Sequence, residues 1–265
     1  MSQKIKCLFL LFVFLCACTQ NRLKWVVFYG PQPNPQFFKN VDLAIVEPGF
    51  ISPDLKSKTI WCAYLSLGEA HQSRPYFSLL KDHGVLLKSN PNWPGAYGVD
   101  IRSTFWREMV LKTLIPSFIA KGYSAIFLDT IDGPISLEES HPGSKQALMD
   151  LIQDIHAQYP QLKIIPNNGL EILPEVKNSI WGVVVEDLYT HYDFLTKKSV
   201  ATDPNISASK EVILDDFLKE TGKPVLILLY DESESTDLIK KSIQKAERKK
   251  YYWYWSLPNL GSSLD

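Results

Sequence analysis

Basic residues have no surplus in this chain, 28 Lys and Arg against 29 Asp and Glu, and they are dispersed rather than clustered. A net charge of −1 leaves no electrostatic footprint for nucleic acid, and none is expected as a partner. Histidine is scarce. The five, His71, His83, His141, His156 and His191, show no HxH or HExxH spacing, so neither a metal nor another cofactor is expected. No Gly-x-Ser-x-Gly elbow is present, which removes support for a Ser-His-Asp hydrolase. No apolar run approaches the ~20 residues of a membrane-spanning helix. Cysteine is rare too, with four in 265 residues.

Three of those cysteines fall in the first 18 residues. Lys4 and Lys6 precede the apolar run Cys7–Leu15, and Cys16-Ala17-Cys18 follows, the layout of a secretory signal peptide. Leu15-Cys16-Ala17-Cys18 resembles a bacterial lipobox. In that reading residues 1–17 are removed, Cys18 carries the lipid, and 18–24 tether a single domain spanning 25–265. The expectation is an exported, monomeric protein of the cell envelope, anchored to the membrane by its lipid. Cys16 is unusual at its lipobox position, so secretion without an anchor is the alternative. Cys62 is then the only thiol in the folded part, which excludes an intramolecular disulfide and leaves the fold to rely on its core.

Beyond residue 24, short apolar runs alternate with longer stretches of helical period. The candidate strands are Trp25–Tyr29, Leu43–Glu47, Ile60–Leu67, Ala125–Asp129, Lys163–Pro166, Val183–Glu186, Val225–Tyr230 and Tyr251–Trp255. Most lack polar alternation, as expected of parallel strands covered on both faces. Eight such strands predict an α/β fold, a closed (β/α)₈ TIM barrel. Leu148, Leu151, Ile152, Ile155 and Tyr159 share one helical face, as do Leu238, Ile239, Ile243 and Ala246. A third helix is predicted over Phe105–Ala120, kinked at Pro116 and capped by Gly122. Residues 70–100 read as a long loop following the third strand.

In a barrel of this kind the chemistry collects where the strands end. Those positions hold Tyr29, Glu47, Gly68-Glu69, Asp129 with Asp132, Asn167-Asn168, Glu186-Asp187, Tyr230-Asp231 and Trp255-Ser256, with no Lys or Arg. The absence of bases there weighs against phosphate binding and against a Schiff-base lysine. Two carboxylates facing one pocket are the minimum equipment for glycosidic cleavage. Alternation along a strand allows only one acid of each pair to face inward, and Asp129 and Glu186, which directly end their apolar runs, are the choice. Helix capping or pairing with surface bases is the ordinary alternative for each acid.

Tyr64-Leu65-Ser66-Leu67-Gly68-Glu69, then Gly122 through Asp132 with Phe127-Leu128-Asp129-Thr130-Ile131-Asp132, then Asn168-Gly169 and Val185-Glu186, occur in an order that resembles glycoside hydrolase family 114. That family comprises endo-α-1,4-polygalactosaminidases built on (β/α)₈ barrels. The chain departs from it at Ser124-Ala125, where the family usually carries Asp-Gly. The resemblance implies a retaining mechanism with Asp129 as nucleophile and Glu186 as acid and base, acting on an amino-sugar polysaccharide. Glu69, Asp132, Asn168 and Asp231 are expected to contact amines or hydroxyls, and Tyr29, Tyr64, Tyr230 and Trp255 to stack on sugar rings. Two other functions remain open at this point: an α-glycosidase for a neutral galactoside, and a barrel that binds polysaccharide without cleaving it.

Overall fold

The computed structural model describes residues 23–261 apart from 35, 194, 234 and 235. The segment expected to carry the signal and the lipid, with Cys18, lies outside the described residues. Eight parallel strands form the barrel: β1 Trp25–Phe28, β2 Leu43–Val46, β3 Ile60–Ser66, β4 Ala125–Asp129, β5 Lys163–Pro166, β6 Val183–Val185, β7 Val225–Tyr230 and β8 Tyr252–Ser256. Strands β1 to β5 pair in sequence order, as do β6, β7 and β8. The two arcs meet through a parallel bridge between Asn167 and Val184, and Trp181 N–H donates to Ile164 O at 2.8 Å below it. On the other side the Trp25 and Tyr254 rings lie 5.6 Å apart, and Tyr29 N–H donates to Leu260 O at 2.6 Å.

Alternation sorts each strand into two faces. Val27, Leu43, Ile45, Cys62, Phe127 and Leu228 belong to the packed interior of the barrel, while their neighbours face the outer layer. Fully burying such side chains contributes about 1.5–3 kcal/mol each. Cys62 sits wholly inside this interior, and burial pushes its thiol pKa up, so it behaves as a small apolar residue.

The crossovers depart from regular strand–helix alternation. Among the described residues, neither of the first two contains a helix. The outer face there is covered by aromatic packing, with Phe37 and Phe38 at 5.3 and 6.2 Å from Phe28 and Trp61 at 5.0 Å from Phe38. The third crossover, expected as a loop over 70–100, carries a three-stranded antiparallel sheet of Glu69–His71, Ala96–Val99 and Leu86–Ser89, with a helix at Phe77–Asp82. The helix that follows runs from Thr104 to Ala120. Its irregularity is a π segment, Val110–Leu114, immediately ahead of Pro116, whose missing N–H and bulky ring disfavour a regular α turn. Gly122, at φ +93, closes that helix: it donates to Ile119 O, and Tyr123 N–H reaches Phe118 O.

The two amphipathic faces form helices Ser144–Gln158 and Asp237–Arg248. A further helix, Pro204–Thr221, is the longest among the described residues. It follows an antiparallel hairpin of Thr190–Asp193 and Lys198–Ala201.

Candidate active site

The inward faces of the strands carry a common register to the C-terminal mouth. Continuing Val27, Ile45, Cys62, Phe127, Ile165, Val184 and Leu228 by two residues each brings Tyr29, Glu47, Tyr64, Asp129, Asn167, Glu186 and Tyr230 to the top layer. All seven line a cavity of about 700 Å³. Asp129 is the last residue of β4, and Glu186 stands one residue past β6. Asn167, just past β5, lies between them.

Two backbone devices hold these strand ends. Thr130, Asn168 and Asp187 each follow an inward residue, and each adopts a left-handed backbone, with φ of 59, 57 and 55°. Such conformations are costly for a non-glycine residue and cluster at functional sites. They turn the chain sharply away from the strand directly after the group that faces the cavity. Gly68 supplies the second device. A Cβ there would meet Thr130 O at 2.2 Å and Pro134 Cδ at 2.6 Å, so only glycine allows this approach. Across it, Gly68 N–H donates to Thr130 Oγ1 at 3.0 Å, and Ser66 Oγ lies 2.9 Å from the same oxygen. The Tyr-x-Ser-x-Gly-Glu stretch thereby ties the end of β3 to the end of β4.

Asn167 is the hub of the site and is buried. Its Nδ2 donates to Asp129 Oδ1 at 2.9 Å and to Glu186 Oε1 at 3.0 Å. Those two bonds cap the separation of the carboxylate oxygens at 5.9 Å, their sum. Tyr64 donates its hydroxyl to the other oxygen of Asp129 at 2.8 Å, and Tyr230 hydrogen-bonds Glu186. Burial and the Asp129 charge push the Glu186 pKa up to about 7, with the Asn167 and Tyr230 hydrogen bonds pulling the other way. Burial also holds the Tyr29, Tyr64 and Tyr230 hydroxyls well above their usual range, so they remain protonated donors. Their rings are part of the barrel packing as well: Tyr29 and Tyr64 meet edge-on at 4.9 Å.

The third crossover supplies one wall. Arg74 makes a bidentate pair with Glu47 at 2.7 and 2.8 Å, and its guanidinium lies 5.6 Å from the Tyr64 ring centroid. A base therefore does enter the cavity, from the insertion rather than from a strand end. Glu69 lines the same wall, held by Asn90 Nδ2 at 2.8 Å, and Asp187 lines the cavity beside Glu186. Among the described residues no cluster of three or more His, Cys, Asp and Glu side chains is arranged to hold a metal ion.

Four residues expected around the sugar have other engagements. Asp132 begins a short helix, Asp132–Ser136, and its carboxylate accepts Gly169 N–H at 3.0 Å. Burial raises its pKa. Asn168 Oδ1 accepts the Glu186 N–H at 3.1 Å, so it braces that residue from behind. Asp231 accepts from Thr236 Oγ1 at 2.8 Å and from Glu232 N–H at 2.7 Å, which organises the turn into the last helix. Trp255 packs against the outer core, because Tyr254 takes the inward position on β8. Asn167, Asp187, Asn90, Arg74 and Trp93 also line the cavity, beyond the residues the sequence singles out. For Asn167 the signal was available: Ile165 is inward, so Asn167 and not Asn168 shares its face.

Comparison with known proteins agrees with this fold. The glycoside hydrolase domain of PelA from Pseudomonas aeruginosa superposes with a TM-score of 0.77 at 23% identity, covering 91% of this chain and 98% of that one. The Aspergillus fumigatus Ega3 complex with galactosamine gives a TM-score of 0.68 at 17% identity, over 92% and 94% of the two chains. An uncharacterized protein of Deinococcus radiodurans is 27% identical over 195 residues, or 69% of this chain, and the match spans 59% of that protein's length. The description of one family, glycoside-hydrolase family GH114, matches residues 22–264, nearly the whole length, and this chain belongs to that family.

Proposed function

We propose that the protein is a retaining glycosidase that cleaves α-1,4-linked galactosamine-containing polysaccharide, with Asp129 as nucleophile and Glu186 as general acid and base. The observation that carries this reading is the Asn167 bridge. A carboxylate oxygen separation of at most 5.9 Å fits the about 5–5.5 Å of retaining pairs and falls short of the about 6.5–9.5 Å that leaves room for water in inverting ones. The two carboxyls also stand in different environments, as their roles demand. Glu186, with its pKa near 7, keeps a proton to give in mildly acidic to neutral solution. Asp129 accepts from Tyr64 on one oxygen and from Asn167 on the other, so both oxygens of the nucleophile are fixed in place.

In the first step Asp129 attacks the anomeric carbon while Glu186 protonates the departing glycosidic oxygen. The C–O bond breaks and a β-linked glycosyl ester forms on Asp129. In the second step Glu186, now ionised, takes a proton from water, which attacks the same carbon and releases Asp129. Two inversions return the α configuration. Tyr64 and Asn167 hold the Asp129 carboxylate in line and stabilise it again as it leaves.

Substrate class follows from charge. Glu47, Glu69 and Asp187 line the cavity beside the pair; Arg74 matches Glu47 and Lys210 lies near Asp187, which leaves Glu69 and Asp129 as the acidic surplus. A cationic amino sugar is drawn to such a mouth more than a neutral galactoside is, and the galactosamine complex of Ega3 lends support. The signal-like segment ending at Cys18 supports export and lipid anchoring in the envelope. The test is incubation with partly deacetylated α-1,4-galactosamine polymer, products followed by NMR. Shorter oligosaccharides are expected, and none from Asp129→Asn or Glu186→Gln. Intact polymer retained tightly by the unaltered protein would instead favour a binding barrel.

A further inference from the structure

Trp93 is 60% exposed, yet it lines the same cavity as Asp129 and Glu186. A single exposed tryptophan is ordinary on a protein surface; one fixed on the wall of the cleft that holds the carboxylate pair is not. Its support is well tied. Ala96 N–H donates to Trp93 O at 3.0 Å, Gln72 N–H to Gly95 O at 2.8 Å, and the His71 ring meets Pro94 O at 3.2 Å. Gly95, at φ +88, lets the turn close where a Cβ would lie 2.7 Å from His71 Nε2. The indole is thus presented on a rigid turn whose other end, through Asn90, orients Glu69.

A cavity of about 700 Å³ has the size of sites that take drug-sized ligands, more than one pyranose ring. On a galacto-configured ring the axial O4 leaves the hydrogens of C3, C4 and C5 together on one face, an apolar patch that suits an indole. An ammonium at C2 adds attraction to the π face and to a nearby carboxylate. We infer that Trp93, with Glu69, forms a second sugar subsite, occupied by an aminohexose ring further along the polymer than the ring held between Asp129 and Glu186. This rests on the amino-sugar reading above.

The test uses the Asp129→Asn protein, so that binding is read without turnover, and isothermal titration with galactosamine and with its α-1,4-linked tetramer. Adding Trp93→Ala is expected to weaken the tetramer about tenfold while the monosaccharide changes less than twofold, with Trp93→Phe recovering most of the loss. Should Trp93→Ala fail to fold, Trp93→Leu, which keeps apolar bulk without a π face, decides by the same comparison. Equal losses for both ligands, or none for the tetramer, would overturn the subsite. If the Trp93-intact protein binds neither ligand, the amino-sugar reading fails and the subsite falls with it.

Discussion

Replacing Glu186 by Gln should abolish turnover and, at the same time, stabilise the protein above neutral pH. The carboxyl is held at about 7 rather than its ordinary 4.5, chiefly by burial and then by the Asp129 charge. At about 1.4 kcal/mol per pH unit, that difference corresponds to about 3 kcal/mol. The sign follows from proton binding. Between pH 4.5 and 7 the native protein holds a proton here that the unfolded chain has lost, so stability falls as pH rises through this window. Above it the full cost persists, because a charge is then confined beside Asp129. Gln does not titrate, keeps the shape, and avoids the cost. Thermal melts of the two proteins should therefore agree at pH 4.5 and diverge by pH 8, with the Gln protein higher by roughly 6–12 °C for a domain of this size. A difference that does not depend on pH, or an unaltered protein that is the more stable at pH 8, would refute the electrostatic account of Glu186.

Two further substitutions probe the supporting structure. Asn167→Ala removes the donor shared by both carboxylates, so kcat should fall roughly 10- to 100-fold, the worth of a hydrogen bond to a charged group. The basic limb of the pH–activity profile should move to higher pH, because Glu186 loses a donor that favours its charged form; a limb that stays or moves down would contradict the hub role. Lys250 stands at φ +61 just beyond the helix Asp237–Arg248, with its N–H on Glu247 O and Tyr251 N–H on Ala246 O. Lys250→Gly relieves that left-handed strain and should add about 1 kcal/mol, visible as roughly 2–4 °C in the melting temperature.

The barrel was legible because buried parallel strands write themselves as unbroken apolar runs, and all eight appear within about one residue of their expected bounds. Crossovers were harder. The helix Pro204–Thr221 leaves Ile206 and Val212 exposed, so its hydrophobic period is blurred. Its signals were the ends instead: Asp203 accepting Asn205 N–H, Pro204 in the first turn, and Gly222 at φ +65. The first two crossovers are covered by Phe37 and Phe38, and aromatic packing of that kind has no periodic signature. At the site, alternation alone identifies most of the top layer. Counting by twos from Val27, Ile165 and Leu226 points to Tyr29, Asn167 and Tyr230. The same count on β8 sends Trp255 outward. What no local pattern could show is the wall built by Arg74, Asn90 and Trp93. Those residues reach the cavity only because the inserted sheet folds over the mouth.

The central claim is that Asp129 and Glu186 act as a retaining pair, and the most direct measurement is the configuration of the first product released from the α-1,4-linked galactosamine polymer. Proton NMR at early times, before the reducing end equilibrates, should show the α anomer in excess from the unaltered protein and no product from Asp129→Asn. Initial accumulation of the β anomer would contradict the account, since it would require water rather than Asp129 to attack the anomeric carbon.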